Sequence, residues 1–218
     1  MKRKPFLVIG LAMIGALLVL GFEAKSALHS EAHIPSVLEI KVSDMSQEER
    51  MIASAIIEAY RQLEYATLTF DTSKLSTAFV DDLRFHLPDE LRREVEIAFN
   101  NAPDKVGYLT YMEAWYNNWE RGANLLEETW EKAQKEGKEI GLDDLKLLEE
   151  ELGFIPAFRR TDPMPPEWED WFRFYNIDFH EDVAVCLYDD GGRLWRAFLV
   201  KKAEGWYIAN RILLEIHY

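Results

Sequence analysis

An uncharged stretch, Pro5 to Phe22, follows Met1-Lys2-Arg3-Lys4 and precedes Glu23-Ala24-Lys25-Ser26-Ala27. A basic start, an apolar run and small residues behind it form the layout of a segment that carries a chain to or through a membrane. As a helix, Phe6 to Phe22 spans about 26 Å at about 1.5 Å per residue, just short of the roughly 30 Å hydrocarbon core. That length fits a short anchor and a long signal peptide alike. Ala24 and Ser26 suit a signal peptidase, while Lys25 between them and Gly10, Gly15 and Gly21 within the run leave both readings open. The reading adopted is an anchor over residues 1–27 that is not cleaved. Three basic residues before the run hold the N-terminus in the cytoplasm. The chain is then a single-pass protein of the cell membrane with its C-terminal domain outside, or a secreted one if the segment is cut. Phe22 stands where a lipoprotein signal needs cysteine, so no lipid attachment is expected.

Cys186 is the only cysteine, so no intramolecular disulfide can form and the exported fold must rest on its core. With 218 residues, 48% of them hydrophobic and seven Trp, the chain has the means for one. The formal charge is −14, and residues 1–26 hold four basic residues against one acidic, leaving −17 on the remainder. Such a surface repels phosphate backbones, which excludes nucleic acid as a general partner, and leaves cationic partners open.

Residues 28–42 read as a stalk and 43–218 as one extracytoplasmic α+β domain. His29 and His33 share a helix spacing, but Pro35 argues against a helix there and no metal site is expected. Ser46-Gln47-Glu48-Glu49 is a capping box, and Ile52, Ala55, Ile56, Ala59, Leu63 and Ala66 continue it as one apolar stripe. Further helical stretches are expected around Leu75–Leu83, over Asp89–Asn100, over Lys105–Lys138 with Leu109, Met112, Trp115, Trp119, Leu126 and Trp130 on its core side, and from Asp143 or Asp144 to Gly153. Pro156, Pro163, Pro165 and Pro166 make a rigid loop. From Phe174 the pattern becomes an antiparallel meander with turns at Asp190-Gly191 and Ala203-Glu204-Gly205.

Helices first, a kinked helical middle, and a closing hairpin reading LWRAFLVKKAEGWYIANRIL resemble the nuclear transport factor two-like superfamily, the cystatin-related α+β cones. The likeness covers the early helix and the last strands; the long helix and the Pro-rich loop depart from it. It implies a curved sheet wrapped over helices with a pocket between, and no particular activity.

The turn positions pair Leu187 with Leu194, Val185 with Arg196, Arg196 with Ile212 and Phe198 with Asn210. One face is then Val183, Val185, Leu187, Leu194, Phe198, Val200, Trp206, Ile208, Ile212 and Leu214, with Arg196 and Asn210 embedded in it. A buried guanidinium needs a carboxylate, a ligand or water. Arg196, Asn210 and Tyr60 are therefore the candidate ligand-binding residues, for an anionic or carbonyl-bearing ligand; the alternative for Arg196 is a salt bridge to Glu58 or Glu64, with Asn210 capping a loop. The opposite face, with Cys186, Tyr188, Trp195, Leu199, Tyr207 and Leu213, needs a cover: a second subunit, or the Pro-rich loop with Trp168, Trp171 and Phe172.

No nucleophile-base order, Gly-rich phosphate loop, paired-cysteine pattern or basic stripe is present, and no cofactor is implied. Asp81, Asp82, Tyr60 and Asp178 are the groups an isomerase or dehydratase would draw on. Asp143, His180, His217 and Glu215 read as surface residues. The expected function is a membrane-anchored extracytoplasmic module binding a small ligand or a protein; the alternative is an isomerase- or dehydratase-type enzyme using the same pocket.

Overall fold

A computed structural model describes residues 39–216. The expected anchor, both stalk histidines and His217 lie outside the described residues. Among those described, no helix is long and apolar enough to cross a membrane. The protein is α+β, its helices preceding a four-stranded antiparallel sheet in the order β1-β2-β3-β4. Within the segment expected as one domain, the described residues divide into two compact units, 39–116 with 160–216, and 117–159.

In the first unit, helix α1 (Gln47–Thr69) starts where the capping box places it: Ser46 Oγ accepts from the Glu49 amide and Glu49 returns the bond to the Ser46 amide at 2.6 Å. Ile52, Ile56, Ala59 and Ala66 are fully buried along its stripe. The expected helix at Leu75–Leu83 is only a 3-10 turn, Leu75–Thr77. Beyond it the backbone turns to the sheet instead, Val80 N donating to Ile208 O and Ile208 N to Ala78 O. Helices α2 (Asp89–Phe99), α3 (Pro103–Val106) and α4 (Tyr108–Lys135) follow. The buried side of α4 in this unit is Tyr108, Tyr111, Met112 and Tyr116. Tyrosines thus take the place expected for Trp115, which is half-buried.

Strands β1 (Arg173–His180), β2 (Val183–Asp189), β3 (Arg193–Lys202) and β4 (Gly205–Ile216) form the meander. Leu187 pairs with Arg196 rather than Leu194, because the first hairpin tip is Gly191-Gly192. Asp189 Oδ1 accepts from both glycine amides at 2.6 and 3.1 Å. Gly191 has φ +91°, and a Cβ there would lie 2.8 Å from Trp171. The second hairpin keeps the expected Arg196–Ile212 and Phe198–Asn210 pairs, but a bulge at Ala209 then pairs Leu199 with Ile208. One extra residue reverses the faces along β4. Trp206 and Ile208 therefore lie on the side of Cys186 and Leu199, and Asn210 and Ile212 on the side of Phe198.

The face that needed a cover is the core. Ala184, Cys186, Tyr188, Ala197, Leu199 and Ile208 are essentially inaccessible. Tyr60 of α1 meets Tyr188 edge-on at 6.2 Å, and Phe172 stacks on Tyr188 at 6.0 Å. Trp168 stacks on Tyr60 at 6.4 Å. The segment with Trp168 and Phe172 thus supplies the cover from within the chain. Alternation alone could not choose the inner face because both faces are apolar; ring volume on α1 and on residues 166–172 decides it.

In the second unit, Gly141 N donates to Asp144 Oδ2 at the start of α5 (Leu142–Leu152), which ends at Gly153 with φ +79°. A Cβ on Gly122 of α4 would lie 3.0 Å from the Phe154 ring, so the chain after α5 runs close against α4. Trp130, expected as core, is 45% exposed and meets Phe158 edge-on.

Candidate functional site

Arg196, expected inside a cavity, is exposed. Glu58 and Glu64, its expected partners, pair with Arg61 and Arg160. Asn210 is buried and ties a loop: Nδ2 donates to Phe85 O at 2.7 Å, and Oδ1 accepts from the Arg211 amide at 2.8 Å. Phe85 in turn stacks on Phe198 at 5.0 Å. Asp81 accepts from Thr110 N at 2.9 Å and from the Thr110 hydroxyl, which caps α4. Asp82 pairs with Arg84, while Asp178 and His180 are exposed on β1. Of the three expected ligand-binding residues only Tyr60 belongs to a converging set of polar groups, and its partners are Asp190 of the first hairpin tip and Tyr188 of the face that needed a cover.

That set lies on the inner face at the start of β3 and the middle of β4. The Tyr60 hydroxyl donates to Asp190 Oδ2 at 2.8 Å. Having one proton, it can only accept in its 3.3 Å contact with Tyr188, so Tyr188 is the donor there. Asp190 also accepts from Trp195 Nε1 at 3.0 Å, from the Arg193 amide at 3.1 Å and from the Arg193 guanidinium at 2.8 Å. These donors fill the lone-pair directions of a carboxylate. Arg211 donates from Nε to the Tyr108 hydroxyl at 2.8 Å, and its guanidinium lies 4.6 Å from the Trp195 ring centre and 5.2 Å from that of Tyr60. Its Nη1 is sealed from solvent without a hydrogen bond of ordinary length, the Tyr188 hydroxyl being an electrostatic neighbour.

Burial pushes the Tyr188 phenol up to about 12. Burial first, then Tyr188 and Asp190, raise Tyr60 well above its ordinary value. Burial opposes the charge of Arg211, but the oxygens of Tyr108, Tyr60 and Tyr188 together outweigh it and raise its pKa. Tyr60 and Tyr188 therefore stay protonated and the guanidinium charged at neutral pH. A general base needs a lone pair open to a substrate. Asp190 has none to offer, and this network holds β3 and β4 to α1 and α4.

Open concavity lies elsewhere. A groove of about 430 Å³ runs along α1 past Met51, Ser54, Ala55 and Glu58, and is floored by Gly205 and Trp206 of the last hairpin. Trp206 is 5% exposed, packed edge-on to Phe179 at 6.0 Å, with Lys201 Nζ 5.4 Å above its ring. Its Nε1 is sealed from solvent and has no acceptor. Met51, 42% exposed, supplies an adaptable apolar wall. A second concavity, about 400 Å³, lies in the other unit between Asn117, Glu120, Arg121, Asn124, Glu128 and Glu151, with Leu125 as its apolar member. Among the described residues no group of three His, Cys, Asp or Glu could hold a metal ion. No protein-family model, curated protein or solved structure matches the chain.

Proposed function

We propose that the chain is a membrane-anchored extracytoplasmic interaction module of the nuclear transport factor two-like kind, and that it binds along the α1–Trp206 groove. The observation that carries this reading is the separation of charge from open space. Asp190 is saturated by the donors around it, while the open groove along α1 is floored by the indole of Trp206, which is apolar toward it because Nε1 is sealed from solvent. A fitting occupant brings an apolar body that packs on Trp206 and Met51, as the side chain of an extended peptide or an apolar small molecule does. The basic and apolar N-terminal run supports the anchored, extracytoplasmic setting. Helices followed by an antiparallel meander support the family likeness. An isomerase or dehydratase would need a carboxylate with a free lone pair beside a ligand-sized space, and Asp190, the carboxylate nearest the inner-face rings, lacks it.

A photo-reactive residue at Ser54, in the full chain within its own membrane, tests the site. The reading predicts an adduct of one discrete mass that is lost in Met51→Asp and absent when the probe sits at exposed Lys74. No adduct at Ser54, or equal adducts at both positions, would count against it.

A further inference from the structure

Strand β1 lies at one edge of the sheet, and the backbone groups it turns outward can be identified. Lys201 N donates to Asp182 O at 2.8 Å, so along β2 the residues in step with Asp182, Ala184 and Cys186, face β3, while Val183, Val185 and Leu187 face β1. Their partners His180, Asp178 and Asn176 therefore face β2. Ile177 and Phe179, in between, turn their N–H and C=O groups out of the sheet. Past the irregularity at Tyr175, Phe174 does so too: its C=O accepts from Ile40 N at 2.7 Å in an antiparallel bridge. Among the described residues that is the one backbone bond reaching this edge from outside the sheet. An edge in that state is a template for one more strand.

The chain that arrives at Ile40 has the pattern to fill it. Counting back, Leu38 and Ser36 are in step with Ile40, whereas Glu39, Val37 and Pro35 point the other way. Pro35 thus lacks its N–H on the side that faces solvent, where an edge strand tolerates proline. Because β1 holds one extra residue at Tyr175, the Ile40–Phe174 pair continues as Leu38 opposite Ile177 and Ser36 opposite Phe179. Leu38 falls on the inner face beside buried Ile177, and Glu39 on the outer, where its Oε1 stands 3.5 Å from Arg173 Nε.

We propose that residues 36–40 add to β1 as a further antiparallel strand, so that the second half of the segment read as a stalk docks on the domain. Ser36 then reaches the end of β1 where Phe179 packs on Trp206, the floor of the α1 groove. In the anchored setting, on which this consequence alone rests, the free tether shrinks to residues 23–35, at most about 45 Å when fully extended, and the groove stays within that reach of the membrane. The docking itself needs neither the anchor nor an occupant of the groove.

Amide hydrogen exchange, read residue by residue in the full chain in detergent, tests the proposal. Ser36 and Leu38 are predicted to exchange at least about tenfold more slowly than Val37 and Glu39, because only the first two donate to β1. Leu38→Pro removes a donor that faces β1 and is predicted to speed exchange at Ile177 and Phe179 at least about tenfold. Val37→Pro removes one that faces solvent and should leave both within about threefold of wild type. Even exchange across residues 36–39, no change at Ile177 and Phe179 in Leu38→Pro, or equal effects of the two prolines would each overturn it. Protection that is lost on tenfold dilution would do so as well, since the strand would then come from another molecule.

Discussion

The Tyr60 hydroxyl has one proton and gives it to Asp190, which leaves Tyr188 as the donor to Tyr60. Removing that oxygen in Tyr60→Phe strands the Tyr188 proton and withdraws one donor from a buried carboxylate. The expected cost is about 1–3 kcal/mol in urea unfolding; a loss under about 0.5 kcal/mol would show that the network contributes little. Alkali tests the same groups. Tyr188 is held at about 12 and Tyr116 also at about 12, against about 10 unfolded. The unfolded chain gives up these protons first, so stability is full below pH 10 and falls as pH rises toward 12. Each phenol contributes on the order of 1.4 kcal/mol per pH unit in that window. Absorbance at 295 nm should show them ionising only with unfolding, and early, reversible ionisation in the folded state would contradict their burial. Arg211, which the network turns on, carried a usable signal: it shares a strand face with Trp195, Leu213 and Cys186. It went unread because that face, apolar like the other, carries no local sign of being the inner one.

Helix α4 starts against a carboxylate from far earlier in the chain. Asp81 receives Thr110 N, while Gly107 ahead of it has φ +89°, and a Cβ there would fall 2.3 Å from Asp81 Oδ1. Asp81→Ala is predicted to cost about 1 kcal/mol as a lost cap, and Gly107→Ala more than that through clash and backbone strain. In the Asp81→Ala background the Gly107→Ala penalty should shrink in part, because the clashing Oδ1 and Cγ are gone while the residue 81 Cβ, 2.4 Å away, remains; strict additivity in urea unfolding would contradict the contact. The elements that sequence specifies well are those with local chemistry, such as α1 with its Ser46–Glu49 box, α5 ending at Gly153, and the second hairpin with Gly205, whereas the double glycine of the first leaves its tip one residue off. The stretch after Leu75 misleads because Leu75 and Phe79 have helical spacing yet are both fully buried at the sheet edge, where β4 offers backbone partners.

At the scale of the molecule, order of elements and fold class were legible, and the inner face was not. Both sheet faces are apolar enough to serve, and the choice rests on the ring volume of Tyr60, Trp168 and Phe172 brought in from outside the sheet. Setting and site can be tested apart. A C-terminal reporter that is active only outside the cytoplasm should be active on the full chain and inactive when Lys2, Arg3 and Lys4 are moved behind the apolar run. The claim that binding belongs to the groove while the buried network is scaffold is tested most directly by the indole N–H resonances of Trp206 and Trp195, followed as the species captured at Ser54 is added. The account predicts that the Trp206 signal shifts as the occupant packs against its ring, while that of Trp195, bonded to Asp190, stays in place. A shift at Trp195 with Trp206 unmoved would place the ligand in the Arg211 network and contradict the account.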